Sequence, residues 1–202
     1  MGELLQQLNS EIASVVEEAG RSLVQVRSVR RGHGSGILCH PEGLIITNAH
    51  VIGNAAVEVT LADGRELSAK VLAEDSDLDL AALYVEANDL PAAKFGESRN
   101  LRPGHLVLAL GHPWGVSGAT TAGVIIGLGS GGQSDSRSKK EWLEVNLPLR
   151  PGNSGGPLID VYGHVVGINT MVTGPNIGIA VPIHVVKAFL HQKLGAKEPV
   201  LV

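Results

Sequence analysis

The sequence predicts an all-β fold, a barrel or sandwich assembled from two sets of six strands. Two observations predict it. Between residues 22 and 181, twelve short runs of β-branched and aliphatic residues recur, most of them separated by Gly, Asp or Asn turns. Strands at that spacing build sandwiches and barrels. Glycine is also in excess, 26 of 202 residues, or about twice its usual share. The excess supplies the positive-φ positions that tight hairpins and bulges demand.

The chain opens on an amphipathic segment. Leu4, Leu5, Leu8, Ile12, Val15, Val16 and Ala19 recur at spacings of three and four, which lays one apolar stripe along a helix over residues 1–20. Gly20 is placed to end it. The helix is expected to pack on its own core, with an oligomer contact as the alternative use of that stripe. The first strand set is Ser22–Val29, Gly36–His40, Leu44–Thr47, Ala56–Leu61, Leu67–Ala73 and Leu80–Val85, forming a unit over residues 21–95. The second is Leu106–Leu110, Thr120–Ile126, Trp142–Leu147, Leu158–Val161, Val165–Thr170 and Ile177–Val181, within residues 96–182. The seam between them falls at about Asp89 to Pro103. The stretch Gly127–Lys140 reads as a loop. A closing helix starts near Pro182, an apt first-turn proline, and carries Val185, Val186, Phe189 and Leu190 within residues 183–202.

Composition excludes several classes. The net charge is −4 and the pI about 6.0, so no nucleic-acid partner is expected. No apolar run is long enough for a membrane span. No continuous apolar stretch follows Met1, so no signal peptide is read at the N-terminus. The single cysteine, Cys39, rules out an internal disulfide framework and a multi-cysteine zinc site. The eight histidines include no H-x-x-x-H pair on a helix, and no metal or other cofactor is expected. Gly127, Gly129 and Gly132 spell G-x-G-x-x-G, but a Ser-rich polar run follows where a dinucleotide site needs a helix.

The chemistry-bearing residues lie in three segments. Gly152-Asn153-Ser154-Gly155-Gly156-Pro157-Leu158 surrounds a serine with glycine. A serine hydroxyl needs a base to become a nucleophile, and the attacked carbonyl oxygen needs aimed N–H donors. Glycines let the backbone bend so that successive N–H groups converge. Thr47-Asn48-Ala49-His50-Val51 puts a histidine directly after an apolar strand. Asp75, Asp77 and Asp79 offer carboxylates directly before another. The order along the chain is His, Asp, Ser. The G-x-S-x-G of the serine segment also fits an α/β-hydrolase elbow, but that fold needs the order Ser, Asp, His and alternating helices.

Together with Gly34-Ser35-Gly36, Gly111-His112-Pro113-Trp114-Gly115 and Gly167-Ile168-Asn169-Thr170, these segments resemble the trypsin-like (chymotrypsin-fold) serine proteases, and among them the HtrA/Deg family. The resemblance covers about residues 12–190. It implies two six-stranded antiparallel β-barrels with N-terminal and C-terminal helices. The first barrel would carry His50 and Asp79 and the second Ser154, a triad at their junction. Asp79 is selected because it alone directly precedes Leu-Ala. The resemblance further implies an oxyanion hole from the backbone of Gly152 and Ser154, shaped by Asn153, and a substrate pocket from Leu149, Ile168, Asn169 and Thr170. It implies a serine endopeptidase acting on unfolded proteins or peptides in protein quality control, extracytoplasmic, and assembled as a homotrimer. The alternative is a silent chaperone or peptide-binding module on the same fold. No PDZ domain is expected within these residues.

Five features depart from the family pattern or refine it. Asn153 stands where trypsin-type zymogens have the aspartate that pairs with a freed N-terminus, so activity is expected to depend on loop ordering or assembly. Pro148, six residues before Ser154, offers no carboxylate to an Arg or Lys side chain at P1, the residue before the cleaved bond. Small or medium aliphatic P1 residues are therefore expected. The run Val145–Pro151 is more apolar and proline-rich than usual, and His112 stands where asparagine is general. The first 20 residues also lack the aromatics that family trimers commonly stack.

Overall fold

The computed structural model describes residues 2–29, 32–53, 55–131, 140–174 and 176–195. Helix α1 (Gly2–Gly20) precedes β1 (Leu23–Ser28), β2 (Gly32–His40) and β3 (Leu44–Thr47). The one-turn helix α2 (Ala49–Ile52) follows, then β4 (Val57–Thr60), β5 (Glu66–Asp75) and β6 (Leu80–Val85). The second half runs β7 (Leu106–Gly111), β8 (Ala119–Gly131), β9 (Lys140–Asn146), β10 (Pro157–Ile159), β11 (Val165–Gly174), β12 (Ile177–Pro182) and α3 (Ile183–Leu194). The strands close into two antiparallel six-stranded barrels, in the order β1-β2-β3-β6-β5-β4 and β10-β11-β12-β9-β8-β7. Closure leaves neither sheet with an open edge.

Each barrel has an aliphatic interior. Val24, Val26, Leu38, Ile45, Val59 and Leu83 fill the first, and Val107, Ile125, Leu143, Val145, Leu147 and Leu158 fill the second. A third cluster lies between the barrels and under α3. There Ile37, Ile46 and Leu80 meet Leu108, Leu110 and Ile159, and Phe189 and Leu190 cover them. Burying each such side chain contributes about 1.5–3 kcal/mol, so the barrel junction is fixed by packing. Residues 89–103 bridge the barrels, with Phe95 pairing beside Val165.

Cys39 is buried in that central cluster. Burial pushes its thiol up to about 12, and an inaccessible thiol does not supply the reactive thiolate. Iodoacetamide should leave the native protein unmodified and alkylate Cys39 only once denaturant has unfolded it, as intact mass would report.

Two expectations are corrected. The stretch Gly127–Lys140 was expected to be loop, but β8 continues through Gly131 and β9 begins at Lys140; residues 132–139 lie outside the described ones. Glycine there marks close approach across the ladder, since a Cβ on Gly129 would sit 2.0 Å from the Trp142 indole. Helix α1 forms as expected, but only its C-terminal end packs. Ala19 is buried and Val15 and Val16 touch the core, while Leu4, Leu5, Leu8 and Ile12 are exposed.

Candidate active site

Strand pairing brings the histidine and aspartate together. β3 and β6 are neighbours, with Thr47 opposite Ala81, so the residues just past the end of one lie beside those just before the other. His50 Nδ1 sits 2.8 Å from Asp79 Oδ2 and 3.0 Å from Oδ1, and the His50 N–H donates to Oδ1 at 3.0 Å. Asp79 holds a left-handed backbone (φ 54), and its carbonyl accepts from the buried Asn48 amide at 2.8 Å. The Thr170 hydroxyl, from β11 of the second barrel, donates to Asp79 Oδ2. The neighbouring acids are occupied elsewhere. Asp75 caps the N–H groups of Asp77 and Leu78 and faces Lys193, while Asp77 faces Lys140.

Burial pushes the Asp79 carboxyl up, but the donors from the His50 ring, Thr170 and the His50 N–H outweigh it and hold the group below the ordinary 3.8. A depressed folded-state value adds stability that is present above the unfolded value and lost as pH falls through the folded one. The Tm difference between wild type and Asp79→Asn should therefore be largest above pH 5 and shrink toward pH 3 in thermal melts.

Ser154 follows the turn Pro151–Asn153, where Gly152 takes φ 104. The loop around Ser154 is tied to both barrels. Ser154 O accepts from the Ser35 N–H on β2 at 2.8 Å, and the Gly155 N–H donates to Asn169 O on β11 at 2.8 Å. The Asn153 N–H donates to Arg150 O at 2.9 Å. Among the described residues no group accepts from the Gly152 N–H or the Ser154 N–H, which leaves two donors flanking the serine for an oxyanion. The Asn153 side chain is buried and its N–H is taken. The Ser154 hydroxyl donates to Thr170 O at 2.9 Å, and no bond to the His50 ring is formed among the described residues. A serine can turn about χ1, and catalytic hydrogen bonds often tighten only with substrate bound.

A cavity of about 390 Å³ opens beside Ser154, lined by Leu149, Arg150, Pro151, Thr170, Met171 and Val172 among others. Leu149 and Thr170 of the expected pocket are there. Ile168 and Asn169 are not: both are fully buried, Ile168 in the central core, while the Asn169 amide donates to Pro157 O. β11 shifts register between Asn169 and Met171, and the cavity is lined by residues 170–172 of that strand. Pro148 is exposed. Leu149 is the residue that packs inward, against Gly178. A second groove of about 770 Å³ runs from His50 past Leu78, Trp142, Met171 and Ile179. Residue patterning missed Met171 and Val172, whose only sequence signal is an apolar pair on the strand that follows Thr170.

A double barrel with a histidine–aspartate pair and a glycine-bedded serine at its junction defines a class of protein, the trypsin-like serine peptidases. Residues 34–168 match the trypsin-like peptidase domain family, and the chain belongs to it. Its relatives are HtrA-type serine proteases. It is 39% identical over 160 residues to "Putative serine protease HhoB" of Synechocystis sp., covering 76% of this chain and 38% of that protein. It is 36% identical over 199 residues to "Serine protease HTRA2, mitochondrial" of Drosophila pseudoobscura pseudoobscura, covering 90% of this chain and 47% of that one. The solved structure "HtrA-type protease AlgW with tripeptide" superposes with a TM-score of 0.83 at 30% identity, covering 91% of this chain and 64% of that chain. The chain thus spans less than half the length of these two curated relatives. No described helix is long and apolar enough to cross a membrane.

Proposed function

We propose that this chain is a serine endopeptidase that cuts unfolded polypeptides after small or medium aliphatic residues, through a triad of Ser154, His50 and Asp79. The observation that carries the reading is the 2.8 Å His50–Asp79 pair, joined through Thr170 to a serine whose flanking N–H groups have no acceptor among the described residues. Ser154 turns from Thr170 O to His50 Nε2, gives its proton to that nitrogen, and bonds to the substrate carbonyl carbon. The Gly152 and Ser154 N–H groups receive the resulting oxyanion. Asp79 holds the His50 ring with Nδ1 protonated and balances its charge. The C–N bond then breaks, the amine leaves with the proton from His50, and an ester remains on Ser154. A water molecule repeats the sequence in reverse and frees the acid.

Aliphatic selectivity rests on Leu149, Met171 and Val172 around the cavity. AlgW is described with a bound tripeptide, which supports a peptide ligand for this cleft. Protein quality control and a homotrimer follow the family, and the exposed Leu4, Leu5, Leu8 and Ile12 of α1 are the apolar surface open to such assembly. A second reading, a silent peptide-binding module, draws on the Ser154 hydroxyl being turned to Thr170. A fluorophosphonate probe and a peptide library together decide. The endopeptidase reading expects labelling that Ser154→Ala abolishes and a P1 profile led by Val, Ala or Leu. Absence of labelling of folded wild type would favour the binding module, and a profile led by Arg or Lys would reject the pocket.

A further inference from the structure

We propose that Arg150 and Trp114 form a clasp that holds the oxyanion loop in its donating orientation, so that the hole is already formed in a single chain. The inference rests on the reading of Gly152 and Ser154 as the oxyanion donors. Three observations on two separate segments carry it.

The first is the orientation of one peptide unit. The Pro151 carbonyl accepts from the Trp114 N–H at 3.1 Å. In a trans peptide the C=O and N–H point in opposite directions. Fixing the Pro151 carbonyl on Trp114 therefore turns the Gly152 N–H the other way, where no described group accepts it. The Gly152 carbonyl is held independently, by the Ser35 hydroxyl at 2.7 Å and the His112 N–H at 3.2 Å.

The second is strain. Trp114 has φ 51 and ψ 28, a left-handed conformation that a bulky side chain rarely adopts. Such residues persist where their surroundings hold them, and they cluster at functional sites. Trp114 is 69% exposed, so core packing does not impose the conformation. The turn is braced by the Gly115 N–H on His112 O at 3.1 Å and the Val116 N–H on Pro113 O at 2.9 Å.

The third is the side-chain contact. The Arg150 guanidinium carbon lies 5.0 Å from the centroid of the Trp114 ring, within cation–π range. Arg150 also accepts the Asn153 N–H on its own carbonyl. One residue thus grips the nucleophile loop with its backbone and the His112–Val116 turn with its side chain. Rotation of the Pro151–Gly152 peptide would break the Trp114 N–H bond, and the ring–guanidinium contact keeps that donor in reach. Arg150 and Trp114 are positioning residues, acting through the Gly152 N–H.

The test uses the whole chain, a peptide substrate, and the variants Arg150→Ala, Trp114→Ala, their double and Trp114→Phe. Each alanine variant should lower kcat about three- to thirtyfold, the span of an exposed to partly desolvated cation–π contact, with KM unchanged in Trp114→Ala, since Trp114 does not line the cavity beside Ser154. The double variant should be no worse than the weaker single, because both remove one clasp. Trp114→Phe, which keeps an aromatic face, should retain most of kcat. In Trp114→Ala, affinity for a peptide aldehyde, whose adduct with Ser154 needs the hole, should fall in step with kcat while affinity for the cleaved product peptide stays constant. That ratio is read on folded protein and is independent of yield. Unchanged kcat in both singles, multiplying losses in the double, or a rise in KM with kcat intact would overturn the clasp. Wild type that neither cleaves peptide nor reacts with fluorophosphonate would sink the serine-peptidase reading beneath it, a result distinct from the other three.

Discussion

Replacing Ser154 with alanine is expected to lower kcat by about 10⁴-fold or more while leaving the fold nearly untouched, because triad members act as a unit. In the proposed mechanism the lost oxygen is the atom that bonds to substrate. His50 could at best direct a water. The structural cost is small because among the described residues the Ser154 hydroxyl makes one hydrogen bond, to Thr170 O, and a net bond is worth about 0.5–1.5 kcal/mol. The loop keeps its backbone anchors, Ser35 N–H on Ser154 O and Gly155 N–H on Asn169 O. Asp79→Asn should cost kcat to a similar order, about 10⁴-fold, by allowing the wrong His50 tautomer. It differs from Ser154→Ala in a second readout. Asp79 accepts from the His50 backbone, the His50 ring and Thr170, so its variant should also melt lower at neutral pH. Steady-state kinetics with thermal melts separates the two. A Ser154→Ala protein that retained more than a hundredth of wild-type kcat would dismiss Ser154 as the nucleophile.

The strands were legible because their interior sides are plainly aliphatic and their turns are marked by Gly, Asp and Asn. Ile45-Ile46-Thr47 and Leu80-Ala81-Ala82 announce two buried strands, and the residues at their ends are His50 and Asp79. Motif and geometry point to the same pair there because a ladder with Thr47 opposite Ala81 leaves their ends side by side. Legibility failed where the outcome depended on register or on partners distant in sequence. Ile168 and Asn169 look like Thr170 in the string, yet both are fully buried, and the cavity lining begins only at Thr170, where the β11 register shifts. The end of β8 reads as loop because Gly127 and Gly129 answer to Glu144 and Trp142 across the ladder, a demand no local pattern contains. The stripe on α1 signals helix but not cover, and most of it faces outward. Thr170 was marked only for the pocket. Its hydroxyl on Asp79 and its carbonyl under Ser154 make it the link between acid and nucleophile, which emerges only when the barrels meet.

Gly152→Ala should lower kcat by about 10²–10³-fold, the effect of removing one oxyanion donor, although no side chain is lost. Gly152 has φ 104, a conformation that side chains resist. A Cβ there would lie 2.3 Å from His112 O and 2.8 Å from Pro113 Cα. Both obstacles are backbone atoms, so no rotamer change relieves the clash, and the Pro151–Asn153 segment must move. That movement carries the Gly152 N–H off its line, while Ser154, His50 and Asp79 keep their own contacts. Ground-state binding should therefore survive in KM as kcat falls. Fluorophosphonate labelling should slow in parallel, since the phosphonyl oxygen needs the same donors. Gly20→Ala is the matched control: a Cβ there meets nothing within 4 Å, at the end of a helix where alanine is favoured, and kcat should be unchanged. A Gly152→Ala enzyme with wild-type kcat would place the oxyanion elsewhere. Slow labelling with intact His50 and Ser154 would instead mean that the aim of one backbone N–H limits this site.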